Sequence, residues 1–318
     1  MYYIGIDLGG TGIKAGLVDE HLHILHADSV PTGAQRHYSE IIKDMADLAL
    51  HVAQEAGVDI TKDVASIGIG SPGTCDSKNG ILIYSNNINF LNVPMREDMN
   101  KYIDLPVYIG NDANVAALGE FMALEGEGIE DMIAITLGTG IGGGIIINRK
   151  IYEGFNGAGA EIGHFQVNMF DGEACTCGRK GCWEAYGSVT ALIRETRRAV
   201  EQHPDSEMAK YVKSQNGKIS GRTAFDLAKA GRDPLAQQVV DQYIRAVAEG
   251  IVSVINIFQP QVLVIGGAIS KEGDYLLNPI KAWVEQHRYS RNVAQTELRI
   301  AKLGNDAGII GAAYLGRQ

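Results

Sequence analysis

A length of 318 residues exceeds that of a typical single domain, and 45% hydrophobic residues are enough to build two ordinary cores. The formal net charge of −10, with no block of lysine or arginine, argues against nucleic-acid binding and favours small-molecule ligands. No basic segment precedes an apolar stretch at the N-terminus, and the most apolar window, residues 133–147, is interrupted by five glycines. We therefore expect a cytoplasmic protein with no secretory signal and no membrane partner.

The first part of the chain predicts an α/β lobe. Residues 2–19 form two β-rich runs joined by a glycine-rich turn, which is typical of a hairpin. Apolar residues recur at helical spacing over residues 38–56, so a helix should cover one face of the sheet. Two buried strands follow, in VASIGIGSPG and in LPVYIGNDANVAALGEF, and the second runs through Asn111 and Asp112 into a helix.

The same pattern then occurs a second time. Residues 132–147 align with residues 3–18, which predicts a second hairpin with a glycine turn. A third strand-to-glycine junction lies at residues 261–270. Glycine lets backbone N–H groups approach an anion closely, and consecutive amides form an anion-binding nest. One such turn alone favours a simple tight hairpin, but three indicate a nucleotide site, although none matches the Walker or dinucleotide pattern.

Five motifs, in a fixed order, carry a family resemblance: GIDLGGT, GNDAN, LGTGIGGG, GAGAEIGH and CTCGRKGCWE. From residue 2 to about residue 315 the chain resembles the ROK family of bacterial sugar kinases and repressors. The resemblance implies an α/β, two-lobed actin-like ATPase (ribonuclease H-like) fold with a cleft between duplicated α/β domains. We expect a small lobe of residues 1–118 and 300–318, and a large lobe of residues 119–299 that carries a zinc loop at residues 164–182.

The resemblance implies that ATP, with Mg²⁺, lies between the lobes. Asp7 matches the family's carboxylate near magnesium, which is usually reached through water, and its alternative role is to cap a turn. The first two glycine turns match the phosphate-binding positions, and the third junction would meet the nucleoside or its phosphates. The matching residues are Gly10, Thr11, Gly12, Gly138, Thr139 and Gly140 for the phosphates, and Gly266 and Gly267 for the third junction.

The cysteine-rich segment predicts a metal site. His164, Cys175, Cys177 and Cys182 offer one nitrogen and three sulfurs, a set that suits tetrahedral zinc. The protein would then fill all four positions, so we expect a structural zinc ion without an open site. The alternative is a cysteine loop that packs without metal. Cys75 stands alone and is expected to fill the core or a loop.

The resemblance also assigns the sugar site and its base. Asp112 is the candidate general base toward the sugar's primary 6-hydroxyl, because phosphoryl transfer needs a carboxylate to accept that proton. Without the resemblance, the Asn-Asp pair would predict a helix cap. A zinc-bound histidine can offer its second ring N–H to a sugar oxygen. Gly73 either lines the sugar site or forms an ordinary turn. The matching sugar positions are Asn111, Asp112, Glu161, His164, Glu184 and Asn87, for which Asn86 is the alternative.

These expectations together indicate an ATP-dependent hexose kinase, with glucose as the leading substrate by resemblance. The alternatives are N-acetylmannosamine, N-acetylglucosamine or fructose as the substrate. A different class of function is a sugar-sensing ROK protein without catalysis. ROK repressors carry a helix-turn-helix domain before their sugar-binding lobes, whereas the first predicted strand begins here at residue 2. By resemblance we also expect a homodimer.

Overall fold

The computed structural model describes residues 1–85 and 87–317, so Asn86, the alternative sugar contact, lies outside the described residues. The strands are β1 (Tyr2–Leu8), β2 (Gly12–Asp19), β3 (Ile24–Pro31), β4 (Val64–Ser71), β5 (Thr74–Asp76), β6 (Ile81–Tyr84), β7 (Leu91–Val93), β8 (Val107–Asn111), β9 (Met132–Leu137), β10 (Ile141–Ile147), β11 (Lys150–Ile151), β12 (Val262–Gly266) and β13 (Glu297–Ile300).

The helices lie between groups of these strands and after the last one. They are α1 (Tyr38–Glu55), α2 (Ile60–Asp63), α3 (Met95–Asn100), α4 (Asp112–Met122), α5 (Glu184–Gly187), α6 (Val189–Gln202), α7 (Glu207–Ser214), α8 (Thr223–Lys229), α9 (Pro234–Phe258), α10 (Asp274–His287) and α11 (Ala307–Tyr314). Within the described residues, no helix combines the length and the apolar character needed to span a membrane.

The chain packs into two compact units. The first contains Met1–Ala134, Gly144–Ala160 and Lys302–Gln318, and the second contains Ile135–Gly143 and Glu161–Ala301. The boundary therefore falls within β9 and β10, whose strands pass from one unit into the other. The lobe limits expected from the sequence, near residues 118 and 300, stay a prediction.

The first unit is built on a five-stranded sheet with the order β3-β2-β1-β4-β8. As predicted, β1 and β2 form an antiparallel hairpin, which closes at Leu8 opposite Ile13. Strands β4 and β8 continue the sheet in parallel to β1, so the ends of β1, β4 and β8 point the same way. Polar residues that follow these strands therefore lie along one edge of the sheet.

Successive residues of β1 face opposite sides of the sheet, so they decide what packs on each face. Ile4 and Ile6 are fully buried in a core that α1 completes through Ile41 and Met45. On the opposite face, a Cβ atom at Gly5 would lie 1.8 Å from the carbonyl oxygen of Ile309 in α11. Helix α11 therefore rests directly on the strand backbone, and the absence of a side chain at this position is required.

A second five-stranded sheet has the order β11-β10-β9-β12-β13. It confirms the predicted repeat, because the β9–β10 hairpin occupies the place that the β1–β2 hairpin has in the first sheet. The two turns are also closed alike: Gly9 N donates to Gly12 O at 2.9 Å, and Gly138 N donates to Gly140 O at 3.0 Å. Not predicted was a small antiparallel sheet, β5-β6-β7, whose strand β5 carries the buried Cys75.

Candidate active site and metal centre

The first glycine turn is held by a residue that the sequence did not point to. The buried Thr32, just after β3, donates its hydroxyl to Gly9 O at 2.6 Å. Its backbone N–H donates to Thr11 O at 3.2 Å. The predicted phosphate positions Gly10, Thr11 and Gly12 therefore lie in a turn whose carbonyl oxygens are fixed from β3, which orients the peptide units of the turn.

Asp7 lies beside this turn on the face that α11 covers. A Cβ atom at Gly308 would lie 3.1 Å from Asp7 Cγ, so the glycine leaves room for the carboxylate. Lys14 Nζ is 3.9 Å from Asp7 Oδ2, too far for a hydrogen bond. Burial raises the pKa of Asp7, and the nearby Lys14 charge opposes that effect only in part. A nearby cation would stabilise the ionised form of this buried carboxylate, in agreement with the prediction that Asp7 lies near magnesium.

Asn111 and Asp112 mark the junction of β8 with α4. Asn111 is the N-cap of α4, and its Oδ1 accepts from Ala113 N at 3.0 Å and from Asn114 N at 3.2 Å. Its Nδ2 donates to Gly73 O at 3.0 Å. Asp112 is the first residue of the helix, is partly exposed, and accepts from Ala113 N at 2.8 Å. The simple helix-cap explanation thus holds for Asn111, while the Asp112 carboxylate sits at the positive end of α4.

The structure brings two further predicted residues to this part of the first unit. Gly73 has φ 109°, and a Cβ atom there would lie 2.1 Å from the carbonyl oxygen of Tyr84. The turn at Gly73 therefore excludes any side chain. Asn87 is exposed, and its backbone oxygen would lie 3.3 Å from a Cβ atom at Gly10. Asn87 is thus next to the first glycine turn.

The second glycine turn is fixed from the start of α6. Val189 N donates to Gly138 O at 2.8 Å, and Thr190 Oγ1 donates to Thr139 O at 2.7 Å. Neither Val189 nor Thr190 was singled out by sequence, since each contact spans about fifty residues of chain. The turn that we predicted to bind phosphate is therefore anchored through its own carbonyl oxygens, as the first turn is.

The third junction packs against the end of β9. Gly267 has φ 88°, and a Cβ atom there would lie 2.2 Å from the carbonyl oxygen of Leu137. Gly266 ends β12 and is less tightly enclosed than Gly267, because a Cβ atom there would lie 3.4 Å from Ala301 Cβ. Gly267 is thus required by close packing next to Gly138, which places the third junction beside the second turn.

The predicted metal ligands converge. The ligand atoms of His164, Cys175, Cys177 and Cys182 all lie within 4.8 Å of one another, the only such group found among residues 1–85 and 87–317. Cys177 Sγ and Cys182 Sγ are 3.6 Å apart, and Cys175 Sγ is 3.5 Å from His164 Nδ1. Tetrahedral zinc with Zn–S bonds of about 2.3 Å separates its sulfurs by about 3.8 Å. The four donors therefore fit a tetrahedral metal ion.

The pKa shifts of the clustered cysteines also favour a metal ion at this site. Burial, together with the neighbouring thiols, raises the pKa of Cys182 to about 12. A hydrogen bond from the backbone of Arg179 lowers the pKa of Cys177. Without a cation, sulfurs this close cannot all ionise, because each thiolate raises the pKa of the others. A bound divalent cation would remove that penalty, so the cluster could hold a metal.

Glu184 lies between the metal ligands and the second glycine turn. Its Oε2 accepts from Ile141 N at 3.0 Å, and its Oε1 accepts from the Thr176 hydroxyl at 3.1 Å. A Cβ atom at Gly140 would lie 2.2 Å from Glu184 Oε2, so the glycine permits this approach. Glu161 precedes a short 3₁₀ turn that ends at His164, and His164 N donates to Glu161 O at 3.1 Å. The predicted spacing of Glu161 and His164 along one helical turn is therefore present.

Comparison with known proteins decides the family. The model of the ROK family matches residues 3–318. The chain belongs to the ROK family. Glucokinase from Halalkalibacterium halodurans is 37% identical over 317 residues, which cover 100% of this chain and 95% of that protein. Glucokinase from Thermotoga maritima is 36% identical and covers 98% of this chain and 96% of its own length.

A solved ROK structure confirms the fold class. The ROK family glucokinase from Streptomyces griseus, determined in complex with glucose and AMPPNP, has a TM-score of 0.81 and 34% identity, and the match covers 100% of both chains. This ROK protein accordingly has the two-domain actin-like ATPase-type fold that the motifs predicted. The duplicated order of its two sheets follows from that fold.

Proposed function

We propose that this ROK protein is an ATP-dependent hexose kinase that transfers the ATP γ-phosphoryl group to a sugar 6-hydroxyl, with glucose as its leading substrate. The observation that carries the proposal is the end-to-end similarity to a glucokinase solved with glucose and a nucleotide analogue. The glucokinases at 37% and 36% identity support the same activity. The chain also has a helix-terminal aspartate and two phosphate-type turns, as this activity requires.

Asp112 would act as the general base. As the sugar's 6-hydroxyl oxygen attacks the γ-phosphorus, its proton passes to the Asp112 carboxylate, and the bond from the γ-phosphorus to the bridging oxygen of ADP breaks. Ala113 N–H holds Asp112 Oδ1, so the carboxylate enters the reaction already oriented. Mg²⁺, when bound with ATP near Asp7, would neutralise charge on the phosphates.

The remaining predicted residues would bind substrates. We assign phosphate contacts to the backbone of the two hairpin turns and a nucleoside-side contact to the third junction. We assign the sugar hydroxyls to polar side chains. These residues are Gly10, Thr11, Gly12, Gly138, Thr139 and Gly140 for phosphate, Gly266 and Gly267 for the nucleoside side, and Asn87, Asn111, Glu161, His164 and Glu184 for the sugar.

We also propose one structural Zn²⁺, bound by the Cys₃His cluster. The short distances between its four donors support this assignment. With four protein ligands no coordination position remains for water or sugar, so the ion would order its loop rather than take part in the chemistry. It would fix the ring of His164, whose second nitrogen could then donate to a sugar oxygen. Reduced thiols of this kind suit a cytoplasmic location, and we retain the homodimer as a proposal by family resemblance.

A coupled assay with Mg-ATP tests the function. Purified protein should produce ADP with glucose, and the comparison with N-acetylmannosamine, N-acetylglucosamine and fructose should rank glucose highest in kcat/KM. Each assay also needs a binding measurement by calorimetry. Sugar binding without any ADP release would favour the sugar-sensing class and would overturn the kinase proposal. A higher kcat/KM for another of the four sugars would retain the kinase and replace the substrate.

A further inference from the structure

The two oxygens of the Glu184 carboxylate serve different parts of the second unit. Oε2 accepts from the backbone N–H of Ile141, which directly follows the second glycine turn. Oε1 accepts from the hydroxyl of Thr176, which lies between two metal ligands, Cys175 and Cys177. Glu184 itself comes two residues after the fourth ligand, Cys182. One half-buried carboxylate therefore joins the metal loop to the turn.

The chain after Glu184 adds to the same connection. Within six residues, Val189 N donates to Gly138 O and the Thr190 hydroxyl donates to Thr139 O. The turn and the residue after it, 138–141, are thus held by three hydrogen bonds to the segment 184–190, and this segment is continuous with the metal loop. A turn that binds phosphate through its backbone amides needs fixed peptide planes, because N–H groups that point away from the phosphate cannot donate hydrogen bonds to it.

We infer that Glu184, Thr176 and Thr190 are positioning residues that couple the metal loop to the phosphate turn, so that occupancy of the metal site sets the affinity for nucleotide. This inference rests on the proposed function, which assigns phosphate to the turn at residues 138–140. It differs from a role of Glu184 at the sugar alone, because it concerns nucleotide binding in the absence of sugar.

The hydrogen bonds made by the two threonine hydroxyls should be weaker than those made by the Glu184 carboxylate. Thr176 and Thr190 are exposed, so each hydroxyl contributes a neutral hydrogen bond in competition with water. Loss of either should weaken nucleotide binding by about 3- to 10-fold. Glu184 supplies a charged acceptor, so its loss should weaken binding by about 10- to 100-fold. Gln at this position can still accept from Ile141 N–H but lacks the charge and the acceptor that faces the Thr176 hydroxyl, so Glu184→Gln should weaken binding less than Glu184→Ala does.

The test measures the Kd of Mg-AMPPNP by calorimetry without sugar. We expect Thr190→Val, Thr176→Val and Glu184→Ala to raise this Kd as stated, while Thr190→Ser and Thr176→Ser stay within about threefold of the wild type and Glu184→Gln falls between the wild type and Glu184→Ala. Removal of metal from the wild type by a chelator, followed by dialysis into Mg²⁺, should also raise the Kd, and added Zn²⁺ should restore it. Amide exchange at Ile141 should become faster in Glu184→Ala and in the metal-free protein.

The result that would overturn the coupling differs from the result that would overturn the proposed function. An unchanged nucleotide Kd in Thr190→Val, Glu184→Ala and the metal-free protein, with only sugar affinity reduced, would overturn the coupling and leave the kinase proposal intact. If the wild type bound no nucleotide at all, the proposed function would fail and the coupling with it. Thermal unfolding of each variant guards against misfolding, and Thr190→Val, which alters one exposed hydroxyl, keeps the test decisive if Glu184→Ala does not fold.

Discussion

Asn111 ties the start of α4 to the turn at Gly73, because its Nδ2 donates to the Gly73 carbonyl oxygen at 3.0 Å while its Oδ1 caps the helix. One side chain thus fixes two backbone segments of the first unit, one of which begins with Asp112. Its amide carries a second N–H, and we propose that this hydrogen serves the sugar.

Two substitutions at Asn111 separate its capping of α4 from its proposed contact with the sugar. Asn111→Ala removes the helix cap and the bond to Gly73, so it should lower the free energy of unfolding by about 1–2 kcal/mol. Asn111→Asp retains a capping oxygen and should unfold closer to the wild type, but it places an acceptor against Gly73 O and should raise the sugar KM. Urea unfolding and steady-state kinetics measure both effects. Equal stability of the two variants would contradict the capping role.

Asp112→Asn tests the base. The amide keeps the size of the side chain and its place at the start of α4, so sugar affinity should change by no more than a few-fold. Turnover should fall by at least about 10²-fold, since an amide cannot accept the hydroxyl proton. The measurement is kcat from a coupled assay beside the sugar Kd from calorimetry. Retention of more than about a tenth of wild-type turnover would show that another group takes the proton.

The Gly73 turn should tolerate no side chain. Gly73→Ala would bring a methyl group against the Tyr84 carbonyl at φ 109°, so we expect a loss of at least about 2 kcal/mol in unfolding free energy and a raised sugar KM. Gly57→Ala is the matched control: its φ is 70°, but nothing lies within 4 Å of the added Cβ. It should lose only about 1 kcal/mol from backbone strain. Equal losses in the two variants would contradict steric exclusion at Gly73.

The metal should be present at one ion per chain. Cys177→Ser should abolish it, because a neutral hydroxyl replaces a thiolate poorly. The buried Cys75 lies outside the cluster, so Cys75→Ser should retain full metal content. Elemental analysis of protein purified without chelator provides the measurement. Absence of zinc from the wild type would support the alternative of a metal-free cysteine loop.

The four cysteines should differ in reactivity. Burial raises the pKa of Cys75 to about 12, so at pH 8 only about one molecule in 10⁴ carries its thiolate. We therefore expect no reaction of Cys75 with an aromatic disulfide reagent until the protein unfolds. After chelation, the exposed Cys177, whose pKa is lowered, should react first in the folded protein, and the buried Cys182 should react slowly, as Cys75 does. Rapid labelling of Cys75 under native conditions, identified by mass spectrometry, would show that its strand opens readily.

Local sequence patterns predicted much of this fold. The glycine-rich turns at residues 9–12 and 138–140 follow apolar runs, and both sites form hairpins. The cysteine spacing likewise predicted which side chains converge. In contrast, β5 and β7 have only three residues each, too few for a periodic signal. The bond from Glu184 to Ile141 N spans 43 residues, and it depends on packing that local spacing does not encode.

Helix α11 contacts β1, β4 and α4 backbone to backbone, yet it comes after all three of them in the sequence. On the ribosome, the strands at the beginning of the first unit emerge long before the helix that covers Gly5 and Gly68. All residues of the second unit, which ends at Ala301, emerge before α11 does. The first unit therefore cannot cover its sheet until α11 has been synthesised, and the sheet left uncovered until then is the surface that a chaperone would meet.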